Sequence, residues 1–216
     1  MGAITRGFAN NIGSSGILGA GAFNDTSLGN ITEMPGIVSM NLLSTTTISS
    51  DATVSITANI DSTYNEYMLL FINIHPEEDD RHLKMQASTN GGSSYGVTCT
   101  NTNFRAGHNE SGSFNFLGYV DNDVAQSTSS FIINEGMGNE SDASCSGFVK
   151  LYNPAGTTHV KHYVSQFSNM NFSNPPQSVN YFTAGYFNTT SAVNALQFTA
   201  SAGDLDAGTI KLYGVC

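Results

Sequence analysis

The sequence predicts an all-β protein: an antiparallel β-sandwich, a jelly roll, behind an extended N-terminal arm. Three observations lead there. Short apolar or alternating runs bounded by Gly, Pro and Asn turn signals recur along the chain, and no stretch keeps a helical period long enough for a substantial helix. The composition points the same way, with 22 glycines, 13 phenylalanines, 9 tyrosines and only 11% charged residues. Soluble domains average about 25% charged residues. Much of this surface must therefore be hydroxyl- and amide-rich, which suits strands and loops better than helices with Glu, Lys and Arg on their wet side.

A chain of 216 residues and 22.9 kDa buries roughly 70% of its unfolded surface, enough for one full core. The division is an arm over residues 1–35 and one domain over 36–216, with Pro35-Gly36 as the break. Within the arm Ile4, Phe8, Ile12, Leu18, Phe23, Leu28 and Ile31 are spread among glycines, asparagines and serines. That spacing suits an anchor inserting one side chain at a time into grooves of its own domain or a neighbour's. A flexible leader is the alternative, although such leaders are poorer in Ile, Leu and Phe.

Residues 37–43 form a first short strand, and 45–60, with Val54, Ile56, Ala58 and Ile60 alternating, reads as the clearest half-buried strand. Residues 64–74, YNEYMLLFINI, lose the alternation, as a strand covered on both faces would, its outer side meeting the arm or another subunit. In 75–82, HPEEDDRH, Pro76 ends that strand and four consecutive acids require a solvated loop. Strands follow at 83–88, 95–104 and 114–120, with a turn at Asn90-Gly91-Gly92 and loops at 105–113 and 121–130. After 131–133, a hairpin over 145–167 turns at Tyr152-Asn153-Pro154-Ala155-Gly156. Residues 169–180 are loop around Pro175-Pro176, and 181–187 is a short aromatic strand. The closing stretch 192–216 reads as two strands joined by a turn at 201–208, where Gly203 and Gly208 permit positive φ. About eight to ten strands without a long helix make a sandwich.

A formal charge of −10 and a pI near 4.6 repel phosphate backbones, so no nucleic-acid partner is expected. No apolar run approaches membrane-helix length, so no membrane is expected either. Cys99, Cys145 and Cys216 fit neither a disulfide framework nor metal spacing; they read as free thiols of a protein assembled in a reducing cytoplasm. His75 and His82 with Glu77 or Asp79, and the pairs Asp204/Asp206 and Asp121/Asp123, are the places to look for a divalent ion. Each falls short of a ligand set, so neither metal nor cofactor is expected. No hydrolase elbow, Walker loop or dinucleotide fingerprint occurs. Glu66 and Glu135 are the acids that a second carboxylate would have to join for glycoside chemistry. Tyr64, Tyr95, Tyr119, Tyr152 and Tyr186 are candidate sugar platforms or core and interface residues. No catalytic residue emerges.

The opening MGAITRGFANNI, the later TSLGNITEMPG and the closing FTASAGDLDAGTIKLYGVC resemble the termini of small virion structural proteins of tailed bacteriophages, especially those of marine bacteria and cyanobacteria. The stretches 67–74, 83–88 and 181–187 and the turn Asn90-Gly91-Gly92 are similar too. The resemblance implies a non-enzymatic homotrimer on the outer surface of the virion, a capsid decoration or cement protein bound to the major capsid protein or other virion proteins. A head or tail fibre subunit carrying a host-surface glycan-binding module is the alternative. It carries over no catalytic residue, and the acidic loop and Cys216 depart from the pattern.

Overall fold

The computed structural model describes residues 40–216. The arm positions Ile4, Phe8, Ile12, Leu18, Phe23, Leu28 and Ile31, and the boundary at 35/36, lie outside the described residues. Twelve strands and no helix make up the described part: β1 (Met40–Ile48), β2 (Val54–Ile56), β3 (Glu66–Pro76), β4 (Arg81–Ser88), β5 (Cys99–Asn109), β6 (Asn115–Tyr119), β7 (Phe131–Met137), β8 (Cys145–Tyr152), β9 (Lys161–Asn171), β10 (Gln177–Phe187), β11 (Ala195–Ala200) and β12 (Leu205–Val215).

All pairings are antiparallel, and one continuous sheet folds over on itself into a barrel-like sandwich. Its first half runs β1-β12-β3-β8-β9 and continues through β10, β5 and β6; its second half runs β7-β4-β11-β2. β9 joins the halves through the single pair Met137↔Asn171. Aromatic contacts fill the space between them. The ring of Phe71 on β3 stands edge-on to Phe198 of β11, with centroids 4.9 Å apart, and to Phe167 of β9 at 5.1 Å. Phe131 of β7 stacks on Tyr163 of β9 at 5.5 Å. Edge-to-face and offset packing at such distances favours the aromatic quadrupoles beyond the area they bury.

Two strand expectations are corrected by this topology. The segment 45–60 is not one strand: it turns a corner at Ser49–Asp51, so that β1 lies in the first half and β2 in the second. Ser50 takes φ 55 and the Asp51 carboxylate accepts from the Ser49 N–H at 3.0 Å. A serine can adopt that left-handed value at a cost, and no Gly or Pro announced it. The two strands at the C-terminus are likewise not a hairpin. β11 pairs with β4 and β2, whereas β12 lies between β1 and β3. Residues 201–204 therefore carry the chain from one half to the other, as do the corners before β2 and before β4. The corners are tied together: the Asp51 N–H donates to the Leu205 carbonyl at 2.8 Å and the Glu77 N–H to the Asp204 carbonyl at 3.0 Å. Glu77, Glu78, Asp79 and Asp80 remain exposed at the middle corner.

The 145–167 hairpin is β8 pairing with β9. Residues 105–109, read as loop, extend β5, because β10 pairs with it without a break from Gln177↔Asn109 to Phe187↔Cys99. β10 itself begins at Gln177, so the loop around the prolines is shorter than 169–180. An uninterrupted ladder satisfies backbone groups that a loop at this position would leave unpaired. Cys99 and Cys145 are buried free thiols and Cys216 is an exposed one. Burial pushes the Cys99 thiol up to about 11 and Cys145 to about 12, which keeps both protonated and unreactive.

Candidate functional site

The double apolar character of β3 has a structural outcome. Tyr67, Leu69, Phe71 and Ile74 point inward and are buried. Met68, Leu70 and Ile72 point outward, where no other described strand covers them. The register extends this outward face across the first half of the sheet. One row runs Thr45, Lys211, Leu70, Phe148, Gln166, Phe182, Phe104, Tyr119, each paired with the next on the neighbouring strand. The adjacent row places Leu42, Tyr213, Met68, Lys150 and Val164 side by side. Rings of Phe104 and Phe182 stack with centroids 4.6 Å apart and an interplanar angle of 9°. Leu42 is 54% exposed, Tyr119 61% and Leu117 76%. Exposed and half-buried apolar side chains gathered on one face make it the candidate interaction surface of the described residues.

Charge on this face is sparse. Among the outward positions of β1, β12, β3, β8, β9 and β10, the charged side chains are Glu66, Lys150, Lys211 and Asp206, the last paired with His75. Lys150 Nζ binds Glu66 Oε1 at 3.0 Å, and this bond holds the ammonium above its ordinary pKa. In a chain of formal charge −10, both carboxylates of this face already meet a partner in the same chain, Glu66 with Lys150 and Asp206 with His75, so two copies meeting here oppose few unpaired carboxylates.

The other candidates separate. Tyr119, Tyr152 and Tyr186 all belong to the outward face, Tyr186 with His162 beside it at 6.0 Å between centroids. Tyr64 instead stands edge-on to Tyr67, and Tyr95 packs its hydroxyl near Gly92. Glu66 is paired with Lys150 and Glu135 with Arg105 at 2.9 Å, so each faces a cation. Among the described residues no group of three or more His, Cys, Asp or Glu could hold a metal ion, and no helix is long and apolar enough to cross a membrane.

His75 does not meet His82. Its Nδ1 lies 2.7 Å from Asp206 Oδ1 and its Nε2 lies 3.1 Å from the Glu140 carbonyl oxygen. Both partners accept, so only the doubly protonated ring makes both bonds. With Nε2 turned to a main-chain carbonyl, the ring braces the β7–β8 loop rather than serving a nucleophile. Burial disfavours the charged ring, but the Asp206 carboxylate and the Glu140 carbonyl outweigh it and raise the His75 pKa. The native state then holds this proton more tightly than the unfolded chain. Its stabilisation is complete below the unfolded histidine value, about 6.5, and is lost as pH rises through the higher folded value. The urea midpoint is expected to fall from about pH 6 to about pH 8, and less so in His75→Gln. An equal fall in that variant would refute the assignment.

The chain matches no family model, no curated protein and no solved structure. The outward face was half legible in the sequence, because 64–74 carries apolar residues at both parities. What the sequence alone conceals is that Phe104, Phe148 and Phe182, from three distant segments, continue the same face.

Proposed function

We infer that this chain is a non-enzymatic virion structural protein of a tailed bacteriophage, a homo-oligomeric capsid decoration protein anchored by its N-terminal residues. The observation that carries the reading is the outward face of the first half-sheet, rich in apolar side chains and with its carboxylates paired within the chain. A monomer leaves that face wet, and a second copy of the same chain covers it by sheet-on-sheet packing. The phage context comes from the resemblance of both ends of the chain to small virion proteins.

Strand order adds support. Setting aside β5–β6 and β9–β10, four strands run β1-β12-β3-β8 and four run β2-β11-β4-β7. Each strand of one half then has a chain neighbour in the other, the nesting of a jelly roll, an architecture that viral capsid and lectin domains share. We read β5–β6 and β9–β10 as two hairpins inserted into that frame. The acidic charge opposes contact with DNA and suits the outer side of a particle.

The test is the mass of the full-length protein and of a form lacking residues 1–35, each with and without emptied capsids. A homotrimer that binds capsids only when residues 1–35 are present is the expected result. A monomer that ignores capsids in both forms would remove the decoration reading.

A further inference from the structure

A second surface lies away from the outward face. Arg105 and Gly107 share the inward side of β5 with the buried Asn103 and Asn109. There Arg105 borders a cleft of about 470 Å³ whose walls also include Glu135, His82, Phe114, Phe116 and Phe172. That volume lies within the usual range for small-molecule sites, about 300–1,000 Å³.

The walls are built rather than incidental. Phe116 reaches from β6 across Gly107, where a Cβ would clash with its ring. The Arg105 guanidinium sits over the same ring at 5.2 Å from its centroid and binds Glu135 Oε2 at 2.9 Å. Gly136 has φ 69, and its N–H donates to His82 Nδ1 at 3.1 Å. A neutral His82 therefore keeps its proton on Nε2 as a donor. Phe114, 50% exposed, and Phe172, 37% exposed, offer free aromatic surface.

This combination selects its ligand. Asp80 and Glu135 outnumber Arg105 in the cleft, and Glu135 already neutralises the guanidinium, so phosphate, sulfate and carboxylate groups are disfavoured. Exposed rings attract an apolar C–H surface, while the planar carboxylate, guanidinium, imidazole and Gln177 amide fit alternating hydroxyl donors and acceptors. A neighbouring cleft of about 510 Å³ shares Gln177 but has no Phe or Tyr ring among its walls.

We propose that the cleft between β5–β6 and β7 is a binding site for neutral saccharides. The proposal does not depend on where the protein sits on a particle. Its test uses the full-length protein and no capsid, so each reading can fail without the other. Saturation-transfer NMR and titration are run with maltose, lactose and chitobiose as neutral probes and with sialyllactose and a sulfated heparin disaccharide as acidic ones.

The expected result is transfer to the ring C–H protons of at least one neutral probe and none to the acidic pair. Phe114→Ala and Phe172→Ala should each weaken binding at least tenfold without lowering the melting temperature, whereas Tyr119→Ala on the outward face should leave it unchanged. The proposal is overturned if no neutral probe binds, if an acidic probe binds as well or better, or if Tyr119→Ala abolishes binding while the two phenylalanine variants retain it.

Discussion

Phe71→Ala is expected to destabilise the protein by about 3–5 kcal/mol, the range for removing a fully buried phenylalanine. Phe71 is 1% exposed, and its two aromatic neighbours, Phe167 and Phe198, belong to opposite halves of the sandwich. Removing the ring opens a cavity at the seam, and neither half can close it without shifting a whole strand. Phe182 is the control. It has the same side chain and also stacks on another phenylalanine, but it lies on the outward face. Phe182→Ala in the isolated subunit should cost about 1 kcal/mol or less. Urea unfolding of both variants at a concentration where subunits are dissociated makes the comparison. Equal losses would mean that the outward face is as buried as the core.

Val164→Glu is expected to weaken self-association at least a hundredfold, about 2.8 kcal/mol at 1.4 kcal/mol per factor of ten. Val164 sits near the middle of the outward face, on β9, between Lys150 and Ala184 of the neighbouring strands, and is 38% exposed. A carboxylate there stays hydrated in the free subunit and loses its water when a second copy covers it, which places the cost on association rather than folding. Sedimentation equilibrium measures the shift. Ser55→Glu, on an exposed position of β2 in the other half, should leave the mass unaltered. A Val164→Glu protein with the wild-type mass at every concentration would show that copies meet elsewhere or not at all.

Fold class was legible because period-2 patterning and turn chemistry are local signals. The 64–74 strand, the 145–167 hairpin and the turn at Asn90-Gly91-Gly92 all rest on neighbours in sequence. Pairing was legible only where it too was local. β11 and β12 are adjacent in sequence and resemble a hairpin, yet each bonds to strands more than a hundred residues earlier, such as Leu196↔Ile56 and Leu212↔Leu69. The corner at Ser50 was hidden for another reason: a Ser/Thr-rich run carries no mark of which residue will accept a positive φ. The cleft could not be read at all. Arg105 and Glu135 are thirty positions apart and belong to strands in different halves. Phe116 reaches Arg105 only because β6 folds back on β5, a pairing partly concealed by the loop expected at 105–113.

The position of β12 between β1 and β3 has a consequence for biosynthesis. On the ribosome, β1 and β3 emerge early, each with an unpaired edge, and the strand that bridges them arrives only after residue 204. Until then the first half of the sandwich has a gap in its middle, and the nascent chain must hold two sticky edges apart through most of its translation. Closure by a strand so far along the chain from its partners gives the domain a high contact order and makes its folding slow. Premature pairing between chains is the hazard of such an order, and the polar outward residues Thr45 and Thr47 of β1 are the part of that edge least prone to it.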